Sequence, residues 1–422
     1  MSELFFIIII CILAADYLLE SWLDYLNARY RSEELPNELK GIYDEEKYRK
    51  QQAYEKANKR LGMITRSLNL LIILTMLIFG FFGYLDSYIR ELSSNTIIIA
   101  LLFFGSLGLG ASLIFIPFDA FDTFVIEERF GFNKTTVKTF IFDIIKGWLL
   151  AAVIGAVLLS AIIWIYESTG TWFWFYAWLV ISFFSVFITM FYSNLIVPLF
   201  NKQKTLEAGE LRDEIEAFSK KAGFKLKNIF VIDGSKRSTK ANAYFAGLGS
   251  KKRIVLYDTL IKQHTKEELV AVLAHEIGHY KMKHTTLSVT LSIIQTGIML
   301  YILSLFIAKD SALSIALCTA LNAEQSSFHI GILGFGIIYS PLSLIIGLAM
   351  NILSRKNEYA ADRFAGENYK PDALKAALIK LSVNNLSNLR PHPAYVFFHY
   401  SHPTLLQRIK ELDKCSEKTS IH

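Results

Sequence analysis

Residues 171–198 read TWFWFYAWLVISFFSVFITMFYSNLIVP, a run without a single Asp, Glu, Lys or Arg. A helix needs about 20 predominantly apolar residues to cross a ~30 Å hydrocarbon core. This stretch is long enough, and its reading decides the fold. Outward from it, further runs of the same kind occur at Ser67–Tyr84, Thr96–Phe118, Gly147–Tyr166 and Leu287–Ala308, with a sixth at Ile330–Leu353. The N-terminal run Leu4–Ala15 is shorter and meets Asp16 and Glu20. A secretory signal peptide would carry Lys or Arg before its apolar core and a small-residue cleavage site; Met1-Ser2-Glu3 has no cation, and no clear site follows. It is therefore read as a retained first helix whose carboxylates face protein or water. Seven spans are expected.

Composition agrees with a membrane body. Of 422 residues, 53% are hydrophobic and 19% charged, below the quarter or so usual in soluble domains. That argues against a soluble globular enzyme and against disorder. Cys11, Cys318 and Cys415 are too few and too scattered for a disulfide scaffold or a cysteine-based zinc ribbon. Lys and Arg test the span count. From the N-terminus, the segments outside the spans hold 0, 9, 1, 4, 0, 17, 1 and 11 of them, with only Arg66, at the mouth of the second helix, outside this tally. High and low alternate without a break, as the positive-inside rule requires. The N-terminus is thus expected outside, with 199–286 and the C-terminal tail on the cytoplasmic side. Topology and phospholipid contact account for the net charge of +6, so no nucleic-acid partner is implied.

The inner segments carry what soluble-like structure there is. Residues 206–223 have the pattern of an amphipathic helix, Lys227–Ile232 and Lys252–Tyr257 that of short strands, and Glu267–His284 and Pro371–Ser387 that of helices. Four regions follow: 1–198 with five membrane helices, an inner segment 199–286, helices six and seven in 287–353, and a C-terminal segment 354–422. Because membrane helices interrupt the soluble pieces, they are expected to form one integrated body.

The chemistry lies in Ala271-Val-Leu-Ala-His275-Glu276-Ile-Gly-His279-Tyr280. Histidines four apart on a helix share one face, so both imidazoles can reach one metal ion. Glu276 then stands beside the open coordination position, where it can take a proton from an activated water. A catalytic zinc needs a third protein ligand. On a continuing helix His284 would point well round from His279, and the histidine of a metzincin pattern would fall at Thr285. A carboxylate is the alternative: Asn357-Glu358-Tyr-Ala-Ala-Asp362 follows the last span. Alone these carboxylates read as a solvated helix face. Beside the histidine pair, Glu358 serves as the third ligand and Asp362, one turn on, as acceptor of a ligating histidine's free N–H.

With these motifs the chain resembles the gluzincin membrane proteases, specifically the type I CAAX prenyl proteases of the Ste24 group. Further matching stretches are Ile126-Glu127-Glu128-Arg-Phe-Gly131-Phe132-Asn133-Lys134 and Pro198-Leu199-Phe200-Asn201-Lys202. Gly234-Ser235-Lys236-Arg237-Ser238 leading to Asn242-Ala243-Tyr244-Phe245, and Ser401-His402-Pro403 followed by Arg408, are the most specific. The resemblance implies an α-dominated membrane protein, seven helices around an internal chamber, and a zinc peptidase region with a small β element. It implies one Zn2+ held by His275, His279 and Glu358, with Glu276 as general base and proton shuttle. It further implies His402 as oxyanion donor, Arg408 supporting that region and binding substrate, and Asn242 holding the substrate backbone.

The expected activity is metal-assisted hydrolysis of a prenylated Cys-a-a-X C-terminus, releasing the last three residues. The alternative is a quality-control endopeptidase of broad apolar-peptide specificity. A seven-helix transporter or receptor with structural zinc is a third reading, opposed by the open coordination and the adjacent glutamate. The lipid bilayer is the expected partner beside the substrate, and no obligate protein partner is implied. The C-terminus Lys418-Thr-Ser-Ile-His422 carries no endoplasmic-reticulum retrieval signal, which favours a bacterial inner membrane over that compartment.

Overall fold

A computed structural model describes residues 1–32, 34–224, 229–248 and 253–419. Six continuous helical stretches are long and apolar enough to cross a membrane. They are Ser2–Arg29, Glu45–Ile78, Thr96–Glu127, Val137–Phe200, His284–Phe306 and Phe328–Asn368. The stretch 137–200 is not one rod. Gly170, at φ +54, turns the chain between Val137–Thr169 and Phe173–Leu195, and the two halves pack on each other.

In chain order the helices are α1 (Ser2–Arg29), α2 (Glu45–Ile78), α3 (Phe81–Leu92), α4 (Thr96–Phe121), α5 (Val137–Thr169), α6 (Phe173–Leu195) and α7 (Val197–Phe200). They continue with α8 (Glu210–Lys221), α9 (Asp258–Gln263), α10 (Lys266–Lys281), α11 (His284–Phe306), α12 (Ala312–Ala320), α13 (Phe328–Asn368), α14 (Pro371–Asn384), α15 (Pro393–His399) and α16 (Leu405–Thr419). The strands are β1 (Gln203–Thr205), β2 (Ile229–Ile232), β3 (Ala243–Ala246) and β4 (Arg253–Tyr257), in sheet order β1-β2-β4-β3. β2 and β4 run parallel, with Ile229 opposite Ile254, while β1 and β3 pair antiparallel on either side.

Seven long helices close a ring. α1 packs on α2, α2 on α4, α4 on α5, α5 on α6, α6 on α11, α11 on α13, and α13 back on α1. A solid bundle would bury an apolar stripe along each helix. Here no residue is fully buried in 10–22, 52–76, 104–121, 137–161, 178–192, 284–299 or 336–357. The ring therefore encloses a chamber. One apolar core closes one end, with Ile9, Phe103, Ile163, Phe173, Leu317 and Ile330 among its members. At the other end a second core gathers Tyr43 and Tyr48 near the start of α2, Ile215, Ile254, Leu273 and Leu374. That core draws on both the membrane half and the inner segments.

The first helix is part of the ring, and its carboxylates face protein. Asp16 accepts from Ser340 of α13 at 2.9 Å, and Asp24 pairs with Lys59 and Arg66 of α2 at 2.7 and 3.0 Å. Two expectations need correction. The second helix does not run over Ser67–Tyr84: it starts at Glu45, ends at Ile78, and breaks at Gly80 (φ +65) before α3. The helix expected over Glu267–His284 stops at Lys281, and Lys283 turns left-handed (φ +57) before α11 begins. Residues 227–228 and 252, at the starts of the two expected strands, lie outside the described residues.

Candidate metal centre

α10 is fixed at its start by a capping box. The Thr265 hydroxyl accepts the N–H of Glu268 at 3.3 Å, and the Glu268 carboxylate accepts the N–H of Thr265 at 2.8 Å. Lys380 of α14 grips both oxygens of Glu268, at 2.7 and 2.8 Å. Burial alone would raise the Glu268 carboxyl, but the Lys380 ammonium and the Thr265 N–H outweigh it and hold it below the usual carboxylate range. The helix then crosses α13 at Gly278. A Cβ there would stand 3.2 Å from the Ala361 Cα and 3.1 Å from a Phe364 ring carbon, so glycine permits this close approach.

α13 runs for 41 residues, about 60 Å at 1.5 Å per residue, from the far apolar core to this crossing. Its last turns present Glu358 and Asp362 on one face. His275 Nε2 lies 3.1 Å from His279 Nε2, His279 Nε2 lies 3.2 Å from Glu358 Oε1, and His275 Nε2 lies 3.4 Å from Glu358 Oε2. Zinc–ligand bonds of about 2.0–2.2 Å in a tetrahedral field place donor atoms about 3.3–3.6 Å apart. The two imidazole nitrogens and the Glu358 carboxylate, one oxygen towards each histidine, thus converge at close to the spacing a single ion requires. Two imidazoles and a carboxylate are a donor set used by catalytic zinc, and Glu358 Oε2 is buried without a hydrogen-bond partner, a cost that a cation would remove. The residues fit a metal ion.

Around this face the remaining groups divide by contact. His275 Nδ1 stands 2.9 Å from Asp362 Oδ1. Burial opposes a charge on His275, yet the hydrogen bonds to Asp362 and Glu358 prevail and push its pKa up to about 9. The same negative surroundings that favour a proton there favour a cation. The Glu276 side chain makes no hydrogen bond or ion pair among the described residues. Burial pushes its carboxyl up, against the pull of His275 and His279.

His402 is largely exposed. Its Nε2 lies 3.3 Å from Glu358 Oε1, and its Nδ1 is 2.9 Å from the Ser401 hydroxyl. The loop that carries it is anchored from α13: Asn351 donates to the Phe398 carbonyl at 2.9 Å and Arg355 to the Tyr400 carbonyl at 2.5 Å. Asn242 is exposed just before β3, where its side chain accepts the N–H of Ala243 at 2.8 Å. β3 is an edge strand, and its Phe245 packs on Tyr280, the residue after His279. Arg408 stands beside the two carboxylates of α13. Its side chain is 12% exposed and lies behind the carboxylates, donating to both oxygens of Asp362 at 2.8 and 2.6 Å and lying 3.6 Å from Glu358 Oε2.

Two features went unread in the sequence. His284 Nδ1 approaches His279 Nδ1 to 2.9 Å, because the helix ends early and the chain turns back. The only signal for this is the apolar run starting at Leu287, which obliges the chain to change direction. The second is a clasp around Arg237, which donates to both oxygens of Asp143 (2.8 and 3.0 Å) and to the Phe200 carbonyl (2.8 Å). Lys134 N–H donates to the Arg237 carbonyl at 2.9 Å, and Asn201 reaches Asp233 at 3.0 Å. Three motifs distant in sequence therefore meet at one place and anchor the strand region to the ring.

A family model described as CAAX prenyl protease N-terminal, five membrane helices, matches residues 24–202, and one described as peptidase family M48 matches residues 205–416. The chain is 34% identical over 416 residues to a CAAX prenyl protease 1 homolog of Arabidopsis thaliana, covering 96% of each. It is 35% identical over 429 residues to CAAX prenyl protease 1 of Saccharomyces cerevisiae, covering 96% of this chain and 94% of that one. The crystal structure of S. mikatae Ste24p superposes with a TM-score of 0.90 at 33% identity, covering 97% of this chain and 99% of the other.

Proposed function

The chain belongs to peptidase family M48, and from that premise we propose that it is a zinc endopeptidase cleaving prenylated Cys-a-a-X C-termini within its membrane chamber. The observation that carries the reading is the convergence of His275, His279 and Glu358 at metal-ligand spacing beside an unengaged Glu276 side chain. His275 Nε2, His279 Nε2 and Glu358 would hold the ion. When bound, zinc supplies an acidified water and a Lewis acid for the scissile carbonyl. Glu276 takes the proton of the attacking water and passes it to the leaving amine. With Ser401 donating to its Nδ1, His402 keeps a proton on Nε2 and donates it to the oxyanion as the carbonyl becomes tetrahedral. Asn242 and the open edge of β3 hold the peptide backbone by strand addition. Asp362 accepts the His275 Nδ1–H, and Arg408 balances the charge of Asp362 and Glu358.

The chamber gives a physical reason for the substrate class. A prenyl chain is costly to expose to water, and an enclosure walled by apolar helices can receive it. We assign seven crossings to the seven ring helices, with the Lys- and Arg-rich segments and the metal centre on the cytoplasmic side. The eukaryotic relatives favour the endoplasmic reticulum over the bacterial inner membrane that the C-terminal residues alone suggest. The four-region division stands as part of this reading, with 1–198 and 287–353 forming the ring and 199–286 and 354–422 closing its catalytic end.

Mass-spectrometric mapping of cleavage by the purified protein tests the proposal, with a farnesylated Cys-a-a-X peptide and its unprenylated twin side by side. Cleavage after the cysteine, at least ~10-fold faster for the farnesylated peptide, is expected, since transferring even a few methylenes from water to an apolar site is worth ~0.8 kcal/mol each. Equal cleavage of both peptides at several internal bonds would favour a quality-control endopeptidase. No cleavage by the zinc-loaded protein would refute the reading.

A further inference from the structure

His284 has no part in the reading so far, yet it is the closest polar neighbour of a proposed ligand on the side away from the ion. The two rings meet at 72° with centroids 5.1 Å apart, and only their Nδ1 atoms approach, at 2.9 Å. His279 turns its Nε2 towards His275 and Glu358. A neutral imidazole that offers Nε2 to a cation carries its proton on Nδ1. That proton needs an acceptor, and His284 Nδ1 is the atom placed to be one.

We propose that His284 is a positioning residue for the metal, accepting the Nδ1–H of His279 and so fixing the ring orientation and tautomer that present Nε2 to the ion. The inference rests on His279 being a ligand. The two histidines are then held differently. His275 leans on a carboxylate, Asp362, while His279 leans on a neutral ring. Charge explains the difference. Glu358 and Asp362 already place two carboxylates at this face, and Arg408 contacts both. A carboxylate at 284 would add a further negative charge and weaken the ion's pull on its water and on the carbonyl. An imidazole orients the ligand without that charge. Its place at the first residue of α11 also ties the ligand to a helix of the chamber wall.

The test is zinc affinity of the full chain in detergent, by competition with a chromophoric chelator, for His284→Phe, His284→Ala and His284→Gln. Phe fills the space without an acceptor, whereas the Gln amide oxygen restores one. Phe and Ala should weaken zinc binding by ~10–100-fold, and Gln should stay within about threefold of the parent. The d–d spectrum of the cobalt-substituted protein should be kept by Gln and altered by Phe. Parent-like affinity in His284→Phe would reduce the residue to packing and overturn the proposal, as would a loss in His284→Gln equal to that in Phe. Should the variants not fold, histidine 15N shifts of the zinc-loaded parent decide: they must show His279 protonated at Nδ1 and His284 at Nε2. His279→Ala is the control, since parent-like zinc affinity there would refute the ligand assignment itself.

Discussion

Glu276, Glu358 and Asp362 are three carboxylates within one site, and their contacts separate their duties. Glu358 faces both imidazoles, Asp362 is engaged by His275 and Arg408, and Glu276 is left free. A free carboxylate beside the open coordination position can move a proton; one already committed to two partners cannot. Glu276→Gln should therefore keep its full zinc content, measured by atomic absorption, while kcat falls at least ~10²-fold. Asp362→Ala should instead release zinc ~10–100-fold more readily in chelator competition, because His275 loses the acceptor that orients it. The histidine pair was legible from spacing alone, since a period of four on a helix is a strong geometric constraint, whereas Glu358 was legible only beside that pair, its own surroundings reading as a solvated helix face. The position of Arg408 was not. A lone arginine after a His-Pro motif does not say which side of a carboxylate it will occupy, and here it lies behind.

At the scale of elements, the site is a crossing of α10 and α13, and Gly278 sets how closely they cross. Gly278→Ala should force α13 back by a few tenths of an ångström and weaken zinc binding, with little change in helix content by circular dichroism. An alanine variant that binds zinc as the parent does would show that the crossing has slack. The start of α10 carries a pH dependence. The folded pKa of Glu268 lies below its unfolded value, so its contribution to stability is present above the ordinary glutamate range and is lost as pH falls through the folded pKa. The thermal midpoint of Glu268→Gln should thus lie below the parent's at pH 7, and the gap should close in acid. A gap that persisted at low pH would assign the effect to shape instead of charge. Helix periodicity revealed most of these elements, but not the ends. The break at Gly80 and the left-handed Lys283 fall inside runs whose side chains continue the pattern, so only the backbone reports them.

At the scale of the molecule, a ring with two apolar ends and no buried residues between them explains how a water-requiring reaction can sit in a membrane body. The long apolar runs made the helices of the ring legible, whereas the clasp at Arg237 was hidden because its partners lie 94 and 37 residues away. The layout predicts sidedness. In sealed vesicles an impermeant thiol reagent should label Ser94→Cys and Ser168→Cys from one face and Glu207→Cys from the other. Labelling of all three from one face would break the topology. The central claim is that one ion joins the inner-segment helix to the end of the last ring helix at the mouth of this chamber. Anomalous scattering at the zinc edge from crystals of the zinc-loaded protein tests it most directly. The account predicts one peak per chain, about 2.0–2.2 Å from His275 Nε2, His279 Nε2 and a Glu358 oxygen; a peak elsewhere, or one bound by the histidines with Glu358 out of reach, would contradict it.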